Sequence, residues 1–433
     1  MKRTAYPFCL FLLTALTQLA CAEGADTTSG TTSTGTAGEG GSTTTGGTGA
    51  AQTGGTGGST GGSTGTTTES GSTTSDTTAS TSTSTTVNNC TFTEAGSYLP
   101  TDNPDGFEAP DDVAAEDLNG DGAPDLVVAN FLSQSVDVFF NKGDGTFDTP
   151  VPYEASNNPT SLALTDLNGD GYKDIAVLNS FGYNVSLLFN DGAGIFDGPY
   201  NYKAPYSAYG LTAADLDGDG DNDLAVAAND LTILYNDGSG QMADPVGVAG
   251  STGTIAVIAG DLNGDGKPDL AGAQSTSLTV FLNNGGGAFA SPGMYLAGNN
   301  PFALADGDVT GDGAPDIAVV NGFSNNASIF HNWGDGTFKA ATFYPSGQSP
   351  RAVTSADFNG DSFIDFAVTS SLNESVYLLL NTGDGTFQWS IQVSTNNGGE
   401  GITAADFNGD GKVDFAVSGY GVTKVFFNAC ATP

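Results

Sequence analysis

This sequence predicts an all-β fold, a seven-bladed β-propeller of four-stranded blades, from three observations. An acidic nine-residue loop, D-x-[DNT]-G-D-[GS]-x-x-D, occurs seven times, beginning at Asp117, Asp166, Asp215, Asp261, Asp308, Asp357 and Asp406. The starts lie 46 to 49 residues apart, and self-similarity at such a period marks propellers and solenoids. Between the loops, short apolar runs alternate with turn residues and no helical period appears, so each unit has room for about four strands.

The first unit justifies each element in order. Asp112 to Glu116 predicts a short strand entering the acidic loop Asp117 to Asp125. Leu126 to Asn130 is an apolar, Val-rich run and predicts a second strand; Phe131 to Ser135 is a turn. Val136 to Asn141 predicts a third strand, and Gly143-Asp144-Gly145 is a hairpin turn. Thr146 to Glu154 predicts an outer strand; Pro150 and Pro152 suit an edge, where not every backbone group must donate. Later copies keep this order, as in Leu187 to Asn190, Thr279 to Asn283 and Val376 to Asn381 for the third strand.

The last copy stops at Val425-Phe426-Phe427-Asn428-Ala429-Cys430, without its turn and outer strand. The missing piece stands at the start of the repeats, where Cys90-Thr91-Phe92 to Tyr98 matches Gly145-Thr146-Phe147 to Tyr153. The N-terminal segment is therefore expected to complete the seventh blade. In this alignment Cys430 replaces Gly143 and Cys90 replaces Gly145, two positions apart in a tight turn, which predicts a Cys90–Cys430 disulfide.

Ahead of the repeats the chain changes character. Residues 1–22 read as an export signal: Lys2 and Arg3, the apolar run Pro7 to Leu16, then Ala20, Cys21 and Ala22. Two processing routes stay open: cleavage after Ala22, or lipidation at Cys21. The stretch Gln18-Leu19-Ala20-Cys21 resembles a lipobox with its Leu one place too close to the Cys. The apolar run is too short for a stable transmembrane helix. Residues 23–88 are almost wholly Gly, Ser, Thr and Ala, a composition that builds no core and predicts a disordered linker or stalk. Residues 89–433 hold the propeller. The protein is expected to be secreted or attached to the outer cell surface, with Cys21 as the possible lipid anchor.

Charge narrows the partners. From residue 89 onward there are 44 acidic and 8 basic side chains, so a nucleic-acid partner is excluded on electrostatic grounds. His331 is the only histidine and has no Cys or His companion in sequence, which argues against zinc.

The acidic loop itself predicts calcium. Positions 1, 3, 5, 7 and 9 supply oxygen ligands, the seventh through its backbone carbonyl, as calcium prefers. Gly at positions 4 and 6 lets the backbone turn with positive φ. The ligand sets are Asp117, Asn119, Asp121, Ala123, Asp125; Asp166, Asn168, Asp170, Tyr172, Asp174; and Asp215, Asp217, Asp219, Asp221, Asp223. Then follow Asp261, Asn263, Asp265, Lys267, Asp269; Asp308, Thr310, Asp312, Ala314, Asp316; Asp357, Asn359, Asp361, Phe363, Asp365; and Asp406, Asn408, Asp410, Lys412, Asp414. Up to seven calcium ions are expected. Two sites are expected to be weaker: Thr310 offers only a hydroxyl, and Ser362 replaces Gly where a left-handed backbone costs about 1 kcal/mol. The loop starts like an EF-hand but carries Val128 and Val177 at the twelfth position, where that motif needs Glu.

The acidic loops together with the G-D-G-T-F turns resemble FG-GAP (VCBS-type) repeats, the units of the integrin α-subunit propeller. The resemblance covers residues 89–433 and implies calcium in the loop between the first two strands of each blade. It also implies ligands on the face opposite those loops, or between blades. The candidate surface there carries Phe131, Phe181, Tyr183, Phe323 and Tyr420, with Tyr206 and Tyr209 nearby in sequence; packing of these rings between blades is the competing expectation. Three functions compete: an exported adhesion or protein-binding module, which the integrin likeness favours; a carbohydrate-binding lectin; and a polysaccharide lyase or hydrolase. No nucleophile–base pair is legible and the propeller holds six Glu, so a catalytic role is not expected.

Overall fold

The computed structural model describes residues 90–101, 110–388 and 391–430. The chain divides into residues 1–81 and residues 82–433. The predicted export signal, the stalk and Cys21 lie outside the described residues. Twenty-eight strands, β1 to β28 in chain order, form seven antiparallel four-stranded sheets, and no helix occurs among the described residues.

Blade 1 contains β2 (Pro110–Glu116), β3 (Asp125–Asn130), β4 (Ser135–Phe139) and β5 (Val151–Glu154). Glu116 pairs with Asp125, so the acidic loop is the tip of a closed hairpin. The expected outer strand from Thr146 is broken. Phe147 makes one isolated bridge to Asn141, and regular pairing resumes only at Val151. The fifth blade breaks in the same way, between the Asn332–Phe338 bridge and Thr342, without a proline in the gap, so the interruption belongs to the repeat rather than to Pro150.

Every residue of β3 is buried, including both of its faces. The reason lies in the neighbours. Val127, Ala129, Val136 and Val138 of blade 1 form one apolar cluster with Leu162, Ile175, Val177 and Leu188 of blade 2. Val113, Leu126, Val128 and Phe139 on the other side join Phe407, Ala416 and Val425 of blade 7. Between its polar ends, Asp125 and Asn130, a strand clamped this way is apolar, at roughly 1.5–3 kcal/mol for each large side chain fully buried. The first strands are different. Each shows only two or three buried positions and carries mostly small residues, because these strands line the middle of the ring. Each packs beside the first strand of the next blade, and β2 also meets β26 (Gly401–Ala405), which closes the circle.

Closure follows the predicted route. The seventh sheet has the order β1 (Phe92–Tyr98), β28 (Val422–Asn428), β27 (Asp414–Gly419), β26. Phe92 pairs with Asn428 and Tyr98 with Thr423. Tyr98 hydroxyl donates to Gly145 O (3.4 Å), as Tyr153 hydroxyl does to Gly194 O (3.2 Å), so the N-terminal strand stands in the register of an ordinary outer strand. Cys90 and Cys430 form a disulfide. Cys430 N donates to Asn428 Oδ1 (2.8 Å), the bond that Gly143 N makes to Asn141 Oδ1 (3.0 Å), so the bridge replaces a covalent hairpin turn.

Antiparallel alternation gives the ring two unlike faces. The acidic loops and the G-D-G-T turns gather on one. The turns after each second strand and the connections between blades gather on the other.

Candidate functional site

The acidic loops are preorganised by their own backbone. In the first, Asp117 Oδ1 accepts from Gly120 N (2.8 Å) and Asp121 N (3.2 Å), while Oδ2 accepts from Gly122 N (2.9 Å). Asn119 Oδ1 accepts from Asp121 N and Asp121 Oδ1 from Ala123 N, both 2.9 Å. The side chains at positions 1, 3 and 5 therefore all turn inward. Gly120 and Gly122 take φ of 77° and 87°, and Ser362 holds the same left-handed conformation at 71° without being glycine.

Position 9 does a second task. Asp125 is fully buried; its Oδ2 accepts from Leu118 N (3.1 Å) and its Oδ1 from Asn141 N (2.8 Å). One carboxylate thus ties the loop to the end of the third strand. The same pair of bonds recurs at Asp174, Asp223, Asp269, Asp316, Asp365 and Asp414.

The asparagine at that strand end carries the contact onward to the preceding blade. Asn190 Nδ2 donates to Leu118 O (2.8 Å), Asn236 to Leu167 O (2.8 Å), Asn283 to Leu216 O (2.9 Å) and Asn332 to Leu262 O (2.8 Å). Asn381 reaches Val309 O (2.7 Å), Asn428 reaches Phe358 O (2.8 Å), and Asn141 reaches Phe407 O (2.9 Å) across the closure. Each acceptor is the second residue of an acidic loop. A closed circuit of seven hydrogen bonds therefore links every loop to its neighbour. Sequence reasoning missed this circuit, although Asn at the end of every third strand was its signal. Single-copy side chains fit the same frame. His331 Nε2 lies 3.0 Å from Gly385 O, and Tyr235 hydroxyl donates to Gly287 O (3.1 Å) from the equivalent position.

Burial pushes the position-9 carboxyls up, and the neighbouring loop aspartates add to it, against the backbone N–H bonds that pull them down. Asp125, Asp174, Asp223 and Asp414 are raised to about 6, and Asp365 to about 7. Asp269 and Asp316 are also raised. Burial is the larger cause, and the aspartates of the same loop add a concentration of like charge. In the third blade the carboxylate oxygens of Asp215, Asp217 and Asp223 lie within 4.8 Å of one another. Carboxylate oxygens gathered in this way are the donors that a hard divalent cation takes. The donor chemistry, hard oxygens only, suits calcium.

The opposite face is irregular. Tyr183 and Tyr206 form a ring pair (centroids 5.2 Å), and Phe131 meets Phe181 edge-on (6.3 Å). Phe181, Tyr183, Tyr206 and Tyr209 are exposed, and Phe131 is half-buried. Phe323 and Tyr420 stand on the corresponding turns of the fifth and seventh blades, also exposed. Exposure and contact between neighbouring blades coexist here, since Phe131 and Phe181 belong to adjacent blades. Tyr183 adopts φ 54°, a conformation uncommon for a bulky residue.

The ring of first strands adds a charged cluster that the sequence did not reveal. Arg351, whose guanidinium lies over the Phe302 ring (4.5 Å), has its Nε 3.6 Å from Glu400 Oε2. Asp111, beside Glu400 and Asp112, is raised to about 8, chiefly by burial. Asp112 is raised to about 6 by the same cause, although it accepts from Leu162 N (3.0 Å).

Seven sheets in a ring, each with an acidic hairpin tip, define a β-propeller built from one repeated blade. The family model for the FG-GAP-like repeat matches residues 117–177, 166–226, 215–272, 261–319, 308–368 and 357–417, and the chain belongs to that family. No curated protein matches the chain. Among solved structures, BBS1N in complex with ARL6DN is 14% identical, covering 78% of this chain and 96% of that one with a TM-score of 0.54. A lectin of Agrocybe aegerita, described as recognising non-reducing terminal N-acetylglucosamine, is 21% identical, covering 72% and 87% with a TM-score of 0.48. At these identities the likeness is one of fold.

Proposed function

We propose that this chain is an exported or surface-anchored binding module: a calcium-stabilised propeller that engages an extracellular protein on the face away from its acidic loops. Calcium, when bound, supplies the positive charge that the loop carboxylates lack. The ligand sets would be those at positions 1, 3, 5, 7 and 9 of each loop. The role is structural, because the same loops are tied into the blade-to-blade hydrogen-bond circuit.

The observation that carries the partner site is the exposed Tyr183–Tyr206 pair, with Tyr183 held at positive φ. Solvent-exposed aromatics on a rigid scaffold are the residues from which binding hot spots are built. An exposed aromatic pair is a contact surface, and it favours binding over a polysaccharide lyase or hydrolase.

The test uses the calcium-loaded propeller immobilised and exposed to extracellular protein fractions, with a glycan array in parallel. Protein capture that is lost in the Tyr183→Ala/Tyr206→Ala variant and kept in Ile195→Ala, an exposed residue on the loop face, supports the proposal. Capture that survives the double substitution contradicts it. Selective glycan binding lost in the same variant replaces the protein partner with a sugar.

A further inference from the structure

The seven acidic loops share a frame but not a charge. In the third blade Asp occupies positions 1, 3, 5, 7 and 9, as Asp215, Asp217, Asp219, Asp221 and Asp223. Elsewhere position 3 is Asn or Thr, and position 7 is Ala, Tyr, Lys or Phe. The fourth loop even supplies its own cation, since Lys267 Nζ donates to Asp265 Oδ2 at 2.7 Å. Among the described residues, only the third loop brings three carboxylate oxygens within 4.8 Å of one another.

The blade around that loop is the slightest of the seven. Its strands are β10 (Gly210–Ala214), β11 (Asp223–Ala227), β12 (Thr232–Leu234) and β13 (Val246–Gly247). The outer pair joins at only two positions, Thr232 with Gly247 and Ile233 with Val246. In blade 1 the equivalent pair joins at four, from Ser135–Glu154 to Val138–Val151. The short third strand therefore depends more on what holds its end. That end is Asn236, whose N–H donates to Asp223 Oδ1 (2.8 Å) while its side chain donates to Leu167 O in the second blade.

Two consequences follow from general electrostatics. Calcium affinity of oxygen-lined loops rises with ligand charge, so the loop with most carboxylates binds most tightly. The same carboxylates repel most when the ion is gone, in the blade with the fewest strand-pairing bonds to resist. We propose that the loop of the third blade is the tightest cation site of this chain, filling before the other six, and that the third blade is the first to loosen when metal is withdrawn. This rests on the calcium role proposed above and adds an order to it.

Hydrogen exchange read blade by blade during a calcium titration of the whole chain tests it. Peptides from 210–247 reach half-protection at a free calcium concentration about tenfold or more below that for peptides from 301–345, where Thr310 weakens the fifth site. Asp217→Asn gives the third loop the Asn that neighbouring loops already carry. Asp217 Oδ1 accepts from Asp219 N (3.2 Å) as Asn119 Oδ1 does from Asp121 N, so the variant keeps the turn. It raises the third-blade midpoint by about tenfold and leaves the others in place. Thr310→Asp lowers the fifth-blade midpoint. A third blade that is not first to gain protection, or a midpoint unmoved by Asp217→Asn, overturns the order while leaving calcium binding standing. Absence of calcium-induced protection in every blade overturns the calcium role itself.

Discussion

The two faces of this propeller obey different rules. On the loop face, seven copies of one hydrogen-bond scheme repeat with little variation, and each copy touches the next through an asparagine. On the opposite face the turns share a backbone but not side chains: the residue at positive φ is Gln134 in one blade, Tyr183 in the next, then Ser275, Asn325 and Glu374. The repeated face is where stability resides, because a change there breaks bonds in two blades. The varied face makes contacts particular to each blade, such as the Tyr183–Tyr206 pair and the bond from Asn299 N to Ser324 Oγ (2.7 Å).

Single substitutions sharpen that contrast. Asn190→Ala removes donors to Leu118 O and Lys173 O and the acceptor for Gly192 N and Gly194 N, the bonds to Leu118 and Gly194 being buried. It is expected to cost about 1–3 kcal/mol or more in unfolding free energy. Tyr183→Ala on the other face should stay within about 0.5 kcal/mol. Denaturant midpoints compare the two; equal costs would dissolve the distinction between faces.

A further effect, one of pH, is expected in the ring of first strands. Asp111 and Asp112 are raised to about 8 and about 6 from the ordinary 3.8, chiefly by burial, with Glu400 raising Asp111 further and Arg351 opposing it. The folded state therefore keeps protons that the unfolded chain has released. Their favourable contribution is complete below about pH 4 and is lost as pH rises through about 6 and then about 8. With calcium saturating, which keeps the loop aspartates out of the measurement, the melting temperature should fall from pH 5 to pH 8.5. Asp111→Asn should flatten the upper part of that fall. A melting temperature that rises across the range, or a fall that Asp111→Asn leaves unchanged, would contradict the assignment.

Much of the scaffold was legible in the sequence, and the reasons are physical. The acidic loops and G-D-G-T turns impose local backbone geometry, so their repetition marks the blades. Alignment of the units then placed Cys90 opposite Cys430 and β1 beside β28. The outer strands were less legible, because an edge strand is held by few bonds and most copies pair in two separate pieces, as at Phe147 and Val151. The asparagine circuit was hidden for another reason: its partners lie about one and a half repeats away in sequence and meet only when the ring closes. The Arg351–Glu400 contact was hidden likewise, since its two strands belong to different blades. Of the candidate face, the rings themselves were legible, but the pairing of Tyr183 with Tyr206 depends on how one blade's turn meets the next connection.

The most direct test of the account is a thermal melt of the intact chain with calcium saturating and again in excess chelator. Each site bound at a thousandfold excess over its Kd contributes about 4 kcal/mol to the folded state, and several sites act together. A large drop in Tm on chelation, restored by added calcium, is the predicted result. Superimposable melts would contradict the claim that calcium holds this scaffold.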